Sequence, residues 1–179
     1  HNKIKISYVS NEDYENTNNM YSILLAKDKI ESGMVFVSAD VILTSSTCRS
    51  FLKDEQKNLI LIDDNPIYYC CDDPVKVSIK NGSISGIDKI MQRDIINGVA
   101  VGLYKFSFPL CQEYFEIAAS LIKKGHLDYG YIEPVKILID QYDIRPFYIK
   151  NEPWFDIDTP KEYIDAGLFY NKAVNNNKS

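Results

Sequence analysis

The chain has 179 residues, of which 45% are hydrophobic and 25% charged. That is the mix of an ordinary globular domain, and a chain of this length buries roughly 70% of its unfolded surface without disulfides or a structural metal. Its Lys and Arg number 20 against 25 Asp and Glu, a net charge of −5; this is the wrong sign for a general nucleic-acid binder, whose phosphate contacts need a basic surface.

No apolar run approaches the roughly 20 residues of a membrane span, so no membrane partner is expected. The first residues lack the apolar core of a signal peptide. Cys48, Cys70, Cys71 and Cys111 form no C-x-x-C pair, and His1 and His126 are the only histidines. A zinc site therefore has almost no material, and reduced thiols in a cytoplasmic protein are the expectation.

In chain order, Ile4 to Val9 alternates apolar and polar residues and predicts a strand, and Asn11 to Asn19 is turn-rich. Met20 to Lys29 has helical apolar spacing, closed by Gly33. Met34 to Ala39 is a continuous apolar run of the kind that buried parallel strands show. A short helix is predicted at Ser46 to Lys53. Strands are predicted at Asn58 to Asp63, Tyr68 to Cys71 and Val75 to Lys80, the last turning through Asn81-Gly82 into a partner strand at Ile84 to Ile87. Ala100 to Ser107 reads as a strand, Pro109 to Lys123 and Tyr131 to Tyr142 as helices, and Ile144 to Ile149 as a strand. A last helix opens at Pro160 behind a Thr159 cap. Helices between buried strands predict an α/β fold, a three-layer sandwich with a mixed, mostly parallel sheet. Residues 1–174 are expected to form one domain, with 175–179 a disordered polar tail.

Three segments carry candidate chemistry. Asp40 ends an apolar strand, and in open α/β sheets ligands bind outside the carboxyl ends of the strands. A carboxylate there suits Mg²⁺, which is held by one or two carboxylates with water and phosphate oxygens; the alternative is a turn cap. In Trp154-Phe155-Asp156-Ile157-Asp158-Thr159-Pro160, Asp156 and Asp158 point the same way if the segment is extended, with helix capping again the alternative. In Asn18-Asn19-Met20-Tyr21-Ser22, asparagines carrying both donor and acceptor stand where they can read a nucleobase edge or cap a helix.

In this order the segments resemble those of the bacterial nucleotidyltransferases of GT-A-like fold, in particular the choline-phosphate cytidylyltransferases and sugar-phosphate nucleotidyltransferases. The resemblance runs through Asn18 to Ser22, Ser38-Ala39-Asp40, Asp88-Lys89 with Gly102-Leu103-Tyr104, and Trp154 to Tyr163. It implies transfer of a nucleotidyl group from a nucleoside triphosphate, CTP foremost, to a phosphorylated small molecule such as phosphocholine or a sugar phosphate, with release of pyrophosphate. By the same resemblance, Asp40 and Asp158 hold Mg²⁺ with Asp156 as a further ligand. Asn18, Asn19 and Ser22 lie at the nucleotide, Lys89 neutralises the acceptor phosphate, and Glu133, Tyr131 and Trp154 shape the acceptor pocket. The departure is the Gly-rich, basic phosphate loop of such enzymes: the eight glycines here form no such cluster. The loop is therefore expected from an N-terminal segment or a partner chain, with this chain inactive alone. A non-catalytic domain of the same fold and a glycosyltransferase using Asp156-Ile157-Asp158 as a D-x-D pair are the alternatives.

Overall fold

The computed structural model describes residues 4–70, 74–150 and 152–176. In chain order its elements are α1 (Asn19–Leu25), β1 (Met34–Val37), β2 (Val41–Leu43), α2 (Ser45–Lys53), β3 (Leu59–Asp63), β4 (Lys76–Lys80), β5 (Ser83–Asp88), β6 (Gly98–Phe106), α3 (Phe108–Lys123), α4 (Ile132–Leu138), β7 (Arg145–Tyr148), β8 (Trp154–Asp156) and α5 (Pro160–Asn176).

The period-two alternation of strand side chains divides β3 and β6 between two cores. Ile60 and Ile62 of β3, with Tyr104 and Phe106 of β6, face one side of the sheet. There they meet Met20 of α1, Leu110, Tyr114 and Phe115 of α3, and Val135 and Leu138 of α4. Leu59 and Leu61, with Val101 and Leu103, face the other side. Phe51 of α2, Ile149 and the Val41, Leu43 and Trp154 side chains of β2 and β8 cover them. Burial on both faces is why β3 reads as an unbroken apolar run, and the three expected layers follow from it.

The main sheet has the order β5-β4-β6-β3-β7, with β1 also on β6, and β2 and β8 form a separate two-stranded ribbon. The sheet is mixed as expected, but its balance differs from the expected parallel majority. β3 and β7 pair parallel, whereas β1, β3 and β4 all pair antiparallel to β6, as do β4 and β5 to each other. Local turns cause part of this. Asn81 and Gly82 take φ of 54° and 78°, the double left-handed turn that fits a two-residue hairpin.

β1 is likewise an antiparallel strand with one face at solvent, not a buried parallel one. Val35 and Val37 are 47% and 52% exposed while Met34 and Phe36 turn inward; apolar residues on both faces gave the run its buried look. Ile4 to Val9 keeps its alternation yet forms no strand, and Ile4, Ile6 and Tyr8 stand exposed. The segment predicted as a strand at Tyr68 lies instead in a 3₁₀ turn, Pro66–Cys70. The Asp63 and Asn65 side chains accept from the backbone N–H groups of Asn65 and Ile67, which curls the chain locally. Helix α4 stops at Leu138, four residues short of the expected end. His1, Cys71 and residues 177–179 lie outside the described residues, and Asn175 and Asn176 close α5.

Candidate active site

The carboxylates converge because of one close backbone approach and one strand pairing. Gly102, in the middle of β6, has φ of 74°, and a Cβ there would lie 2.9 Å from Val41 Cγ2 and 3.0 Å from Ser38 Oγ. Only glycine lets the Ser38–Val41 turn settle against the strand, where the Ser38 N–H donates to the Gly102 carbonyl at 2.9 Å. Asp40 rides on that turn. β2 then pairs antiparallel with β8, Val41 opposite Asp156, and the Ile157 N–H donates to the Asp40 carbonyl at 3.1 Å. One carboxylate oxygen from each of Asp40, Asp156 and Asp158 lies within 4.8 Å of the other two.

Capping of α5 falls to other residues. The Glu162 carboxylate accepts from the N–H groups of Asp158 and Thr159, at 3.0 and 2.8 Å, and the Glu162 N–H donates to Thr159 Oγ1 at 3.3 Å. This is the reciprocal capping box; it holds the Glu162 carboxyl below its usual value through the Thr159 hydrogen bond first. Asp158 contributes its backbone to the cap, and its carboxylate is directed to the cluster.

A second group of expected site residues surrounds a cavity of about 360 Å³ lined by Asn18, Asn19, Asp88, Lys89, Tyr131 and Glu133 among others. Asn18 caps α1, its Oδ1 accepting from the Asn19 N–H at 2.7 Å and its Nδ2 donating to the Asp128 carbonyl at 3.0 Å. Asn19 Oδ1 accepts from the Tyr131 N–H at 2.8 Å. Both asparagines thus bind the start of α1 to the loop that carries Tyr131. Ser22 is turned away and accepts from Asn11 Nδ2 at 3.0 Å. The Glu133 carboxylate is bonded to Lys136 Nζ at 2.8 Å, and Lys136 also meets Asp88 at 2.8 Å. Partial burial opposes the Lys136 charge, but these two carboxylates outweigh it and hold the ammonium above its usual value.

Tyr131 joins the two groups, which the sequence did not foretell. Its ring packs on Phe36 and Tyr104 with centroids 4.9 and 5.4 Å apart, and its hydroxyl lies 3.0 Å from that of Tyr104. Burial pushes the Tyr131 hydroxyl up, and the charge of Asp156 adds to the effect; hydrogen bonds with Tyr104 and Ser38 and the charge of Lys89 oppose it. One phenol therefore lies within electrostatic reach of the carboxylate cluster and of the cavity's lysine.

Trp154 lies elsewhere. Its Nε1 donates to Asp63 Oδ2 at 2.7 Å, and it lines a separate cavity with Tyr68. Asp63 and Tyr68 had no signal in the sequence beyond an apolar strand followed by Asp-Asp-Asn-Pro.

The sequence matches no protein-family model and no curated protein. Solved structures do match. The inositol-1-phosphate CTP transferase from T. maritima superposes with a TM-score of 0.63 at 18% identity, over 82% of this chain and 58% of its own. The CTP:phosphocholine cytidylyltransferase from Streptococcus pneumoniae gives 0.69 at 17%, over 89% and 67%. An apo UDP-glucose pyrophosphorylase gives 0.71 at 15%, over 93% and 64%. The chain shares the fold of these structures. At these identities the fold is what is shared, and the chain spans about three fifths to two thirds of the length of these structures.

Proposed function

We propose that this chain is the metal- and acceptor-binding part of an enzyme that transfers a nucleotidyl group from a nucleoside triphosphate, CTP foremost, to a phosphorylated small molecule. Phosphocholine and sugar phosphates are the acceptor classes. The observation that carries the reading is the meeting of Asp40, Asp156 and Asp158 beside the Tyr131 cavity in this fold. The donor set fits Mg²⁺: all three ligand atoms are hard oxygens, and Asp40 and Asp158 are exposed, leaving room for water and phosphate oxygens. Asp40 and Asp158 would hold the ion, with Asp156 as a further ligand. Bound there, the ion supplies Lewis-acid charge neutralisation and a template for the phosphates.

In the reaction an oxygen of the acceptor phosphate attacks the α-phosphorus, the bond to the β-phosphate oxygen breaks, and pyrophosphate leaves. The protein's part is positioning and charge cancellation. Lys89, on the rim of the Tyr131 cavity, neutralises the acceptor phosphate. Asn18 and Asn19 stand at the base, fixed by their bonds to the 127–131 loop. Ser22 follows on the same helix, its hydroxyl held by Asn11. Tyr131 fixes the distance between the carboxylates and the cavity.

Turnover needs a triphosphate cradle that the scattered glycines of these 179 residues do not form. The test is pyrophosphate release with Mg²⁺, each nucleoside triphosphate and a panel of phosphorylated acceptors. It is run on this chain and on a form extended by its own upstream reading frame or mixed with a partner chain that carries the loop. Turnover is expected only from the completed form. Turnover by this chain alone would overturn the need for a supplied loop, and silence from the completed form across the panel would overturn nucleotidyl transfer. The Asp156-Ile157-Asp158 pair also has the D-x-D spacing of nucleotide-sugar glycosyltransferases; transfer from a nucleotide sugar with none from a triphosphate would favour that reading.

A further inference from the structure

Lys76 is 5% exposed, the one charged residue that is buried among the described residues. It opens β4, which lies between β5 and β6. A β-branched apolar residue packs well in such a strand, whereas an ammonium taken from water there costs free energy unless it is hydrogen-bonded. Its Nζ donates to the Lys89 carbonyl at 2.8 Å and to the Pro74 carbonyl at 3.3 Å. Across the strand pair Lys76 stands opposite Asp88, and the Asp88 carboxylate accepts from the N–H groups of Lys89 and Ile90, the latter at 3.2 Å. One register pair therefore holds the Lys89 backbone from both sides, its N–H on Asp88 and its carbonyl on Lys76. Asp88 is in turn tied to Lys136 at 2.8 Å.

Burial does not hold this turn, because Lys89 is exposed and Ile90 is 91% exposed. The Lys89 side chain lines the Tyr131 cavity, close enough for its charge to act on the Tyr131 hydroxyl. A lysine carries its charge on a flexible four-carbon stem, so a fixed backbone narrows the space its ammonium searches and lowers the cost of placing it on a ligand. We propose that Lys76 is a positioning residue, whose ammonium fixes the Lys89 carbonyl so that Lys89 meets a phosphate in the Tyr131 cavity. That this phosphate is the acceptor's rests on the proposed nucleotidyl transfer; the clamp itself does not.

The experiment titrates the chain with inorganic phosphate, without metal ion, and reads affinity by phosphorus NMR and amide hydrogen exchange at Lys89 and Ile90. Lys76→Met is expected to weaken phosphate binding about tenfold and to quicken exchange at both amides. Lys76→Arg, which keeps charged donors, should restore most of the affinity. Lys80→Met removes an exposed charge from the same strand and should change neither quantity. By linkage, phosphate tightens the clamp by the factor that the clamp gives to phosphate. The Lys76 ammonium protons of the wild-type chain should therefore exchange about tenfold more slowly at saturating phosphate. That wild-type measurement decides if far-UV circular dichroism shows that Lys76→Met does not fold. Unchanged exchange of those protons, full phosphate affinity in folded Lys76→Met, or an equal loss in Lys80→Met would each overturn the inference. Full affinity in Lys89→Met overturns the part given to Lys89 in the proposed function. Weak binding by Lys89→Met beside normal binding by Lys76→Met overturns the positioning role alone, and no phosphate binding by the wild-type chain overturns both.

Discussion

Replacing Gly102 by Ala tests how the Ser38–Val41 turn is held. Two costs add at this position. The residue sits at φ of 74°, a left-handed conformation that costs a non-glycine residue about 1–2 kcal/mol. The new methyl would also lie 2.9 Å from Val41 Cγ2 and 3.1 Å from Ser38 Cβ, and relieving such overpacking costs about 1–3 kcal/mol. The expected loss is about 2–5 kcal/mol, which at a urea slope of about 2 kcal/mol per molar lowers the unfolding midpoint by about 1–2.5 M. Gly125 is the control: its φ is 93° but nothing lies within 4 Å of its Cβ position, so Gly125→Ala loses only the backbone part, about 1–2 kcal/mol. The Gly102 change should also displace Asp40, so Mn²⁺, used as the probe ion, should bind Gly102→Ala several-fold more weakly and Gly125→Ala normally. Equal midpoint shifts for the two variants, or unchanged Mn²⁺ affinity in Gly102→Ala, would refute the close-approach argument.

Tyr131→Phe removes the hydroxyl that meets the buried Tyr104 phenol. An unsatisfied buried polar group costs about 1–3 kcal/mol, and chemical denaturation should show a loss in that range. Asn19→Ala removes the acceptor for the Tyr131 N–H, so amide exchange should quicken at Tyr131. Burial works against the Asp88 charge, but the hydrogen bond from Lys136 and the Ile90 N–H outweigh it and hold the carboxyl below its usual value. A carboxyl lowered by folding stabilises above its unfolded pKa and loses that contribution as pH falls through the folded one. The stability gap between wild type and Asp88→Asn should therefore be largest at neutral pH, at most about 1 kcal/mol for so exposed a pair, and close below about pH 4. A gap that widens with acid would contradict this.

Where local chemistry decides structure, the sequence is a sufficient guide. Asn81-Gly82 announces the β4–β5 hairpin, Thr159-Pro160 announces α5, and the Asn58–Asp63 run announces a strand. Legibility ends where a strand's fate depends on a distant partner. β2 and β8 are three residues each, too short for a pattern, yet their pairing brings Asp40 to Asp156. The resemblance implies a shared role for Asp40 and Asp158; the register explains why the two carboxylates lie close together. Ile4 to Val9 has a strand's alternation but pairs with no strand among the described residues, and Met34 to Val37 has a buried strand's composition at a half-exposed edge. The expected acceptor pocket divides for a physical reason invisible in sequence: Trp154 belongs to the core layer of Phe51 and Leu61, whereas Tyr131 packs beyond the opposite face of the sheet.

The central claim is that Asp40, Asp156 and Asp158 together hold a divalent ion. A Mn²⁺ titration of the chain followed by electron paramagnetic resonance tests it most directly, with Asp40→Asn and Asp158→Asn beside Asp165→Asn, whose carboxylate instead pairs with Lys161. The account predicts one Mn²⁺ per chain, affinity at least about tenfold weaker in each cluster variant, and no change in Asp165→Asn. Equal affinity across all three variants and the wild type would contradict it.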